Sequence, residues 1–263
     1  MPDVKGIPLD APLYRGSKDR GSAFLGCQAI SLVFSVGHEV SSLLPKGLVP
    51  EASPAIAVVG IASYSSSTVG PYLECYSGIQ VRDPGGETGF YIPYIYVTTN
   101  DAALASGREV LGAPKKLAHI TLIREGGLIQ GTLERPAGKR LLTLTAQPDQ
   151  RMSSSSQQMF SARTYFYSVR HLPPINERGK GAVTQLVKWC TARTLRRDEL
   201  GEEVQFTGPT SLTYDSPSIV DPVHNLALGE PVLGTYEEYD AKLEAIDILS
   251  ETATPCFPLL PST

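Results

Sequence analysis

What most constrains this chain is a succession of short runs rich in β-branched, aliphatic and aromatic residues, broken by glycine, proline and serine. The runs cover residues 29–34, 55–62, 72–81, 89–99, 117–124, 128–134, 140–146 and 163–171. Each has strand length and is bounded by turn formers, a pattern that predicts sheet and not a helical bundle. The 24 glycines, 21 prolines and 12 tyrosines agree with it. Pro93 marks 89–99 as an edge or bulged strand, and residues 83–87 (Asp-Pro-Gly-Gly-Glu) read as a hairpin turn. Two helical signals stand out. Residues 37–45 suit one or two turns stopped by Pro45, and Asn100-Asp101 caps a helix reaching Val110. Residues 234–249 fit both periods. Tyr236, Tyr239, Leu243 and Ile246 share a helical face, but 238–245 alternates throughout, which favours a strand.

For 263 residues, one large core is the expectation. The reading is a single α+β domain over 1–263, built on antiparallel sheet. It carries an irregular N-terminal arm at 1–23, suited equally to wrapping a neighbouring subunit or to a free end, and an irregular tail at 250–263. Residues 147–158 form a polar loop.

Charge removes several function classes. Lys and Arg number 23 against 27 Asp and Glu, a net −4, so no basic surplus exists to neutralise nucleic-acid phosphates. The longest apolar stretch, 54–62, is too short to span a bilayer, and the first residues lack the apolar core of a signal peptide. Cys27, Cys75, Cys190 and Cys256 are scattered, and His38, His119, His171 and His224 lack metal-ligand spacing. A cytoplasmic chain without nucleic acid, membrane or metal partners is expected.

One segment is chemically unusual. Lys115 and Lys116 follow Gly112-Ala113-Pro114 and lead into an apolar run. Alternation sends adjacent side chains to opposite faces of a strand, so one lysine points inward. There it loses hydration beside a second cation, and both effects favour the neutral, nucleophilic amine. A solvated lysine pair protecting a strand edge is the alternative reading of the same residues.

Gly107-Arg108-Glu109 followed by Pro114-Lys115-Lys116 resembles the signature of the acetoacetate decarboxylase superfamily. Gly70-Pro71-Tyr72-Leu73-Glu74 is similar to the family's Gly-x-Tyr-x-Glu strand, and Gly208-Pro209-Thr210-Ser211-Leu212 to its Gly-Pro-Thr-x-Leu turn, with Asp221-Pro222-Val223 beyond it. The anchors span 30–245. The resemblance implies antiparallel strands curved into a cone-shaped β-barrel with flanking helices, and self-association into a homo-oligomer. It makes Lys115 the Schiff-base lysine, Lys116 its tuning neighbour and Glu74 the carboxylate that handles protons. No metal or organic cofactor is implied, because the lysine imine is itself the electron sink. Ala113 stands where the family often places a large aromatic, which widens the pocket. Phe24, Val59, Tyr91 and Tyr94 are the expected walls.

Two charges of the family pattern are missing. The stretches matching its first-strand arginine and its second glutamate read Phe24-Leu25-Gly26-Cys27 and Val58-Val59-Gly60. The expected activity is therefore a Schiff-base lyase acting on an oxo acid or ketone larger than acetoacetate. It would run by decarboxylation or by aldol condensation and dehydration with pyruvate-like partners. A cyclase, dehydratase or hydrolase using the same imine, and a non-catalytic small-molecule binding protein, are the alternatives.

Overall fold

Most of the apolar runs form strands. The structure is a computed structural model that describes residues 22–152, 162–173 and 182–252. Its first part runs β1 (Ala23–Val36), β2 (Val49–Pro50), β3 (Ala55–Ser67), β4 (Tyr72–Arg82), β5 (Thr88–Tyr91) and β6 (Ile95–Val97). Helix α1 (Asp101–Ser106) and a π turn (Gly107–Leu111) precede β7 (Lys115–Leu117). Then come β8 (His119–Glu125), β9 (Leu128–Glu134), β10 (Arg140–Ala146), β11 (Gln150–Arg151) and β12 (Arg163–Leu172). The chain continues through β13 (Val183–Leu195), β14 (Gln205–Thr207), β15 (Thr210–Tyr214) and the long β16 (Pro231–Thr252).

Seven strands close into a barrel in the order β1, β3, β4, β5, β12, β13, β16, with β16 returning to β1. Closure removes the exposed edges that an open sheet would carry. The barrel is mixed and not wholly antiparallel, because β5 meets β12 in parallel through Phe166 and Phe90. A four-stranded sheet, β15–β10–β9–β8, covers its outer face. Ile30, Leu32, Val59 and Ile61 pack there with Ile129, Leu133, Leu142 and Leu144. Gly131 permits the approach: a Cβ on it would sit 2.5 Å from the Ile61 Cδ1.

Alternation sorts the barrel residues. Cys27, Ala29, Val33, Val58, Ala62, Phe90 and Tyr239 belong to smaller apolar clusters on the inner side, opposite the outer core. Burying both faces makes residues 55–62 of β3 apolar throughout, as an internal stretch of strand should be, before the serine-rich end at 63–67.

Several expectations shift. Residues 89–99 split at Pro93 into β5 and β6. The single run at 117–124 becomes two elements in different sheets: β7 pairs with β6, and β8 pairs with β9. Helix α1 starts after Asn100 as expected, the Asn100 Oδ1 accepting from the Ala103 amide at 2.9 Å, but its continuation is a π turn. Residues 38–43 form a single 3-10 segment, and 83–87 make a hairpin turn closed by the Asp83 amide on the Glu87 carbonyl. Strand β16 carries the alternating stretch and extends to Thr252, so the tail begins later than expected. The rest of the tail, residues 153–158 of the polar loop and nearly all of the arm lie outside the described residues.

Candidate active site

Lys115 opens β7, which lies parallel to β6 with Lys115 opposite Ile95. The segment before it explains the spacing of the lysine motif. Gly107 begins the π turn and leaves room for the lysine: a Cβ there would lie 2.5 Å from Cδ and 2.6 Å from Cε of Lys115. Arg108 donates to the Lys115 carbonyl at 3.0 Å and so fixes the strand start. Gly112 ends the turn at φ +70, where a Cβ would strike the Arg170 backbone nitrogen at 2.4 Å. The Ala113 amide then donates back to the Gly107 carbonyl at 3.0 Å. Short π segments of this kind recur at functional sites.

Lys115 points into the barrel and Lys116 out of it. The Lys115 Nζ lies 2.9 Å from the Glu74 Oε2, with both side chains 9% exposed. Glu74 comes from β4, and its Oε1 accepts from the Tyr64 hydroxyl at 3.2 Å. The Tyr72 ring faces the ammonium 5.2 Å away. Burial first, and the Glu74 charge second, push the Tyr64 and Tyr72 phenols well above their ordinary range. Both phenols therefore stay neutral, and that of Tyr64 donates to Glu74.

A cavity of about 1,090 Å³ surrounds this pair inside the barrel, at the upper end of small-molecule pockets. Each of the seven barrel strands lines it, among them through Phe24, Val58, Glu74, Phe90, Phe166, Trp189 and Tyr239. Of the expected site residues, Lys115, Glu74, Ala113 and Phe24 meet here. Three do not. Lys116 pairs with Asp221 at 2.9 Å on the outer side and also donates to the Val220 carbonyl. Val59 and Tyr94 face the outer core; their strand neighbours Val58 and Ile95 line the cavity. Tyr91 packs outward too, between the lining residues Phe90 and Ile92. A one-residue error in strand phase exchanges the two faces.

Sequence reasoning missed β13 and with it Trp189, Thr191 and Arg193. The Arg193 guanidinium pairs with Glu237 at 2.9 Å and lies over the Tyr239 ring, 4.7 Å from its centroid. Glu237 also accepts from the Gln205 Nε2 at 2.6 Å. On the opposite wall, Tyr76 lies across Gly60, where a Cβ would come within 2.4 Å of its Cζ. That glycine ends the stretch that matches the missing second glutamate, and the phenol fills the space. Among the described residues no group of three His, Cys, Asp or Glu could hold a metal ion. The Cys27 thiol is buried within the barrel wall, and burial is the main cause that raises it to about 12.

Chemically, a lysine beside a buried carboxylate at 2.9 Å can lose a proton across that contact and regain it later. The amine borders a cavity large enough for an organic substrate, the arrangement needed for attack on a carbonyl.

Comparison with known proteins agrees with this geometry. The family model described as acetoacetate decarboxylase matches residues 10–253. Decarboxylase DEC1 of Cochliobolus heterostrophus is 24% identical over 236 residues, covering 88% of each chain. Acetoacetate decarboxylase 3 of Mesorhizobium japonicum is 38% identical over 133 residues, about half of each. The crystal structure of acetoacetate decarboxylase from Legionella pneumophila superposes with a TM-score of 0.77 at 22% identity, over 88% of both chains. MppR, an enduracididine biosynthesis enzyme solved with the condensation product of pyruvate and imidazole 4-carboxaldehyde, gives 0.73 at 16% identity over 92% of each. With its fold, its inward lysine and the family match over nearly its whole length, the chain belongs to the acetoacetate decarboxylase family.

Proposed function

We propose that Lys115 forms a Schiff base with the ketone carbonyl of an oxo acid and that a carbon–carbon bond is then made or broken. The buried contact between Lys115 and Glu74 is the observation that carries this reading. Glu74 accepts the proton of the Lys115 ammonium, and the free amine adds to the carbonyl carbon. The carbinolamine hydroxyl takes the proton back from Glu74 and leaves as water as the nitrogen lone pair forms the C=N bond, giving a protonated imine. That imine accepts the electron pair released when carbon dioxide departs, or when a proton is lost before condensation with an aldehyde. Either route gives an enamine. After decarboxylation Glu74, held by the Tyr64 hydroxyl, relays a proton from water to the enamine carbon. On the aldol route the enamine carbon attacks the aldehyde, Glu74 returns the α-proton it took to the new alkoxide, and that hydroxyl then leaves as water with a second α-proton. Water then hydrolyses the imine and restores the lysine.

Missing charges bear on the substrate. Phe24 lies in the cavity near the start of the first strand and Tyr76 covers Gly60, so the wall that should orient a small carboxylate is apolar and phenolic. The volume also exceeds what a four-carbon oxo acid fills. We therefore place acetoacetate among the poor substrates. Larger 3-oxo acids, or pyruvate with an aldehyde, are favoured.

The test is product analysis with acetoacetate, a longer 3-oxo acid, and pyruvate paired with an aromatic aldehyde. Released carbon dioxide identifies decarboxylation, and a condensed, dehydrated product identifies the aldol route. A product with an unchanged carbon count would overturn the carbon–carbon reading in favour of a cyclase, dehydratase or hydrolase. Binding without turnover across the panel would favour a binding protein. We extend the proposal to a homo-oligomer, which sedimentation velocity tests directly.

A further inference from the structure

Away from the Lys115–Glu74 pair, the cavity has an apolar lobe. Val58, Ile92, Ile95 and Ala113 form its sides beside the lysine, and β7 brings Lys115 opposite Ile95. Its far wall is aromatic. Phe166 and Trp189 stack with centroids 4.4 Å apart and planes 22° from parallel, and Phe90 follows, 6.5 Å from Phe166. The stack is fixed in place: the Trp189 Nε1 donates to the Ser168 Oγ at 3.2 Å, and Ser168 donates onward to the Leu111 carbonyl. Phe166 and Trp189 are only half-buried although they lie inside a closed barrel, so apolar ring surface faces the cavity. Leaving such surface against water is unfavourable.

We propose that this lobe seats an aromatic ring carried on the tail of the oxo-acid substrate, with the carbonyl presented to Lys115. The proposal deepens the Schiff-base reading, from which it takes only the position of the carbonyl. A flat ring suits the near-parallel pair of Phe166 and Trp189, because offset stacking adds to the gain from burial. A small residue at 113 keeps the passage from the lysine to that wall open.

Trp189 is the single tryptophan of the chain, so intrinsic fluorescence reports on the lobe itself. The experiment titrates the wild-type protein with three ketones: butanone, benzylacetone and an unbranched ten-carbon methyl ketone. Benzylacetone should change the Trp189 emission at a concentration about tenfold lower than butanone does, and lower than the alkyl ketone. Phe166→Leu should erase most of that preference. Butanone acting at the same concentration, or the alkyl ketone binding more tightly than benzylacetone, would overturn the proposal.

Borohydride trapping of the same three ketones separates the two claims. An emission response selective for the ring, with no covalent adduct from any ketone, supports the lobe and defeats the imine. Adducts that form without ring preference defeat the lobe and leave the imine standing.

Discussion

Two ion pairs stand one residue apart in sequence and on opposite sides of the barrel wall. Inside, Lys115 meets Glu74 at 2.9 Å; outside, Lys116 meets Asp221 at the same distance. Their surroundings differ. The Asp221 side chain is 1% exposed and also accepts from the Arg135 Nε at 3.1 Å, while Lys116 remains 37% exposed. That carboxylate is shared between two cations and fastens the β7 region to the loop at 218–222. Among the described residues Glu74 has no second cation: its Oε2 faces the Lys115 ammonium, its Oε1 the Tyr64 hydroxyl, and the cavity borders it. Contact distance does not mark a reactive pair; what else the carboxylate holds, and whether a substrate can reach the amine, does. The dilysine is two residues in two settings, the proposed nucleophile on the cavity and an outer clasp.

Substitutions can break that comparison. Lys115→Ala is expected to abolish imine formation and turnover, whereas Lys116→Ala keeps both; a steady-state assay on the two variants decides. Next in size, Glu74→Gln should lower kcat by about 10²–10⁴-fold, since it retains the shape but cannot accept the lysine proton. Gly107→Ala sharpens the geometric side. Its Cβ would collide with the flexible end of Lys115 and displace the amine, at a cost of about 10²-fold in kcat/KM while Tm falls little. An equal loss of activity and stability would mean that Gly107 serves the fold and not the lysine.

The outer pair should answer in stability alone. Asp221→Ala leaves two cations unpaired, both about one-third exposed, so thermal unfolding should show a loss below the ~3–5 kcal/mol of a fully buried pair. Lys116→Ala, which leaves Arg135 on Asp221, should cost about 1 kcal/mol or less.

Much of this arrangement was legible in the sequence. Strands announced themselves where apolar runs ended at turn residues, as in β4 and β10, and the inward lysine followed from alternation together with the family motif. The phase of the walls did not. Residues 55–62 of β3 are buried on both faces, so their sequence carries no alternation to say that Val58, and not Val59, meets the cavity. β13 was hidden for a related reason. It holds Lys188 and Arg193 among apolar residues, and its pairing with β16 shifts register at Leu186/Val187 and again at Cys190/Thr191. Trp189 and Arg193 went with it. The parallel contact of β5 with β12 joins segments far apart in sequence, and no local pattern encodes it. Lys116 shows the limit of a motif: adjacency in sequence suggested electrostatic tuning, while the pleat sends the two ammonium groups to different sides of a wall.

The central claim is that the inner lysine is the nucleophile. Borohydride reduction in the presence of an oxo acid that the protein turns over, followed by fragmentation mass spectrometry of the 108–124 peptide, tests it at single-residue resolution. The expected result is one reduced adduct, localised to Lys115, lost in Lys115→Ala and retained in Lys116→Ala. An adduct on Lys116, or sustained turnover with no adduct on Lys115, would contradict it.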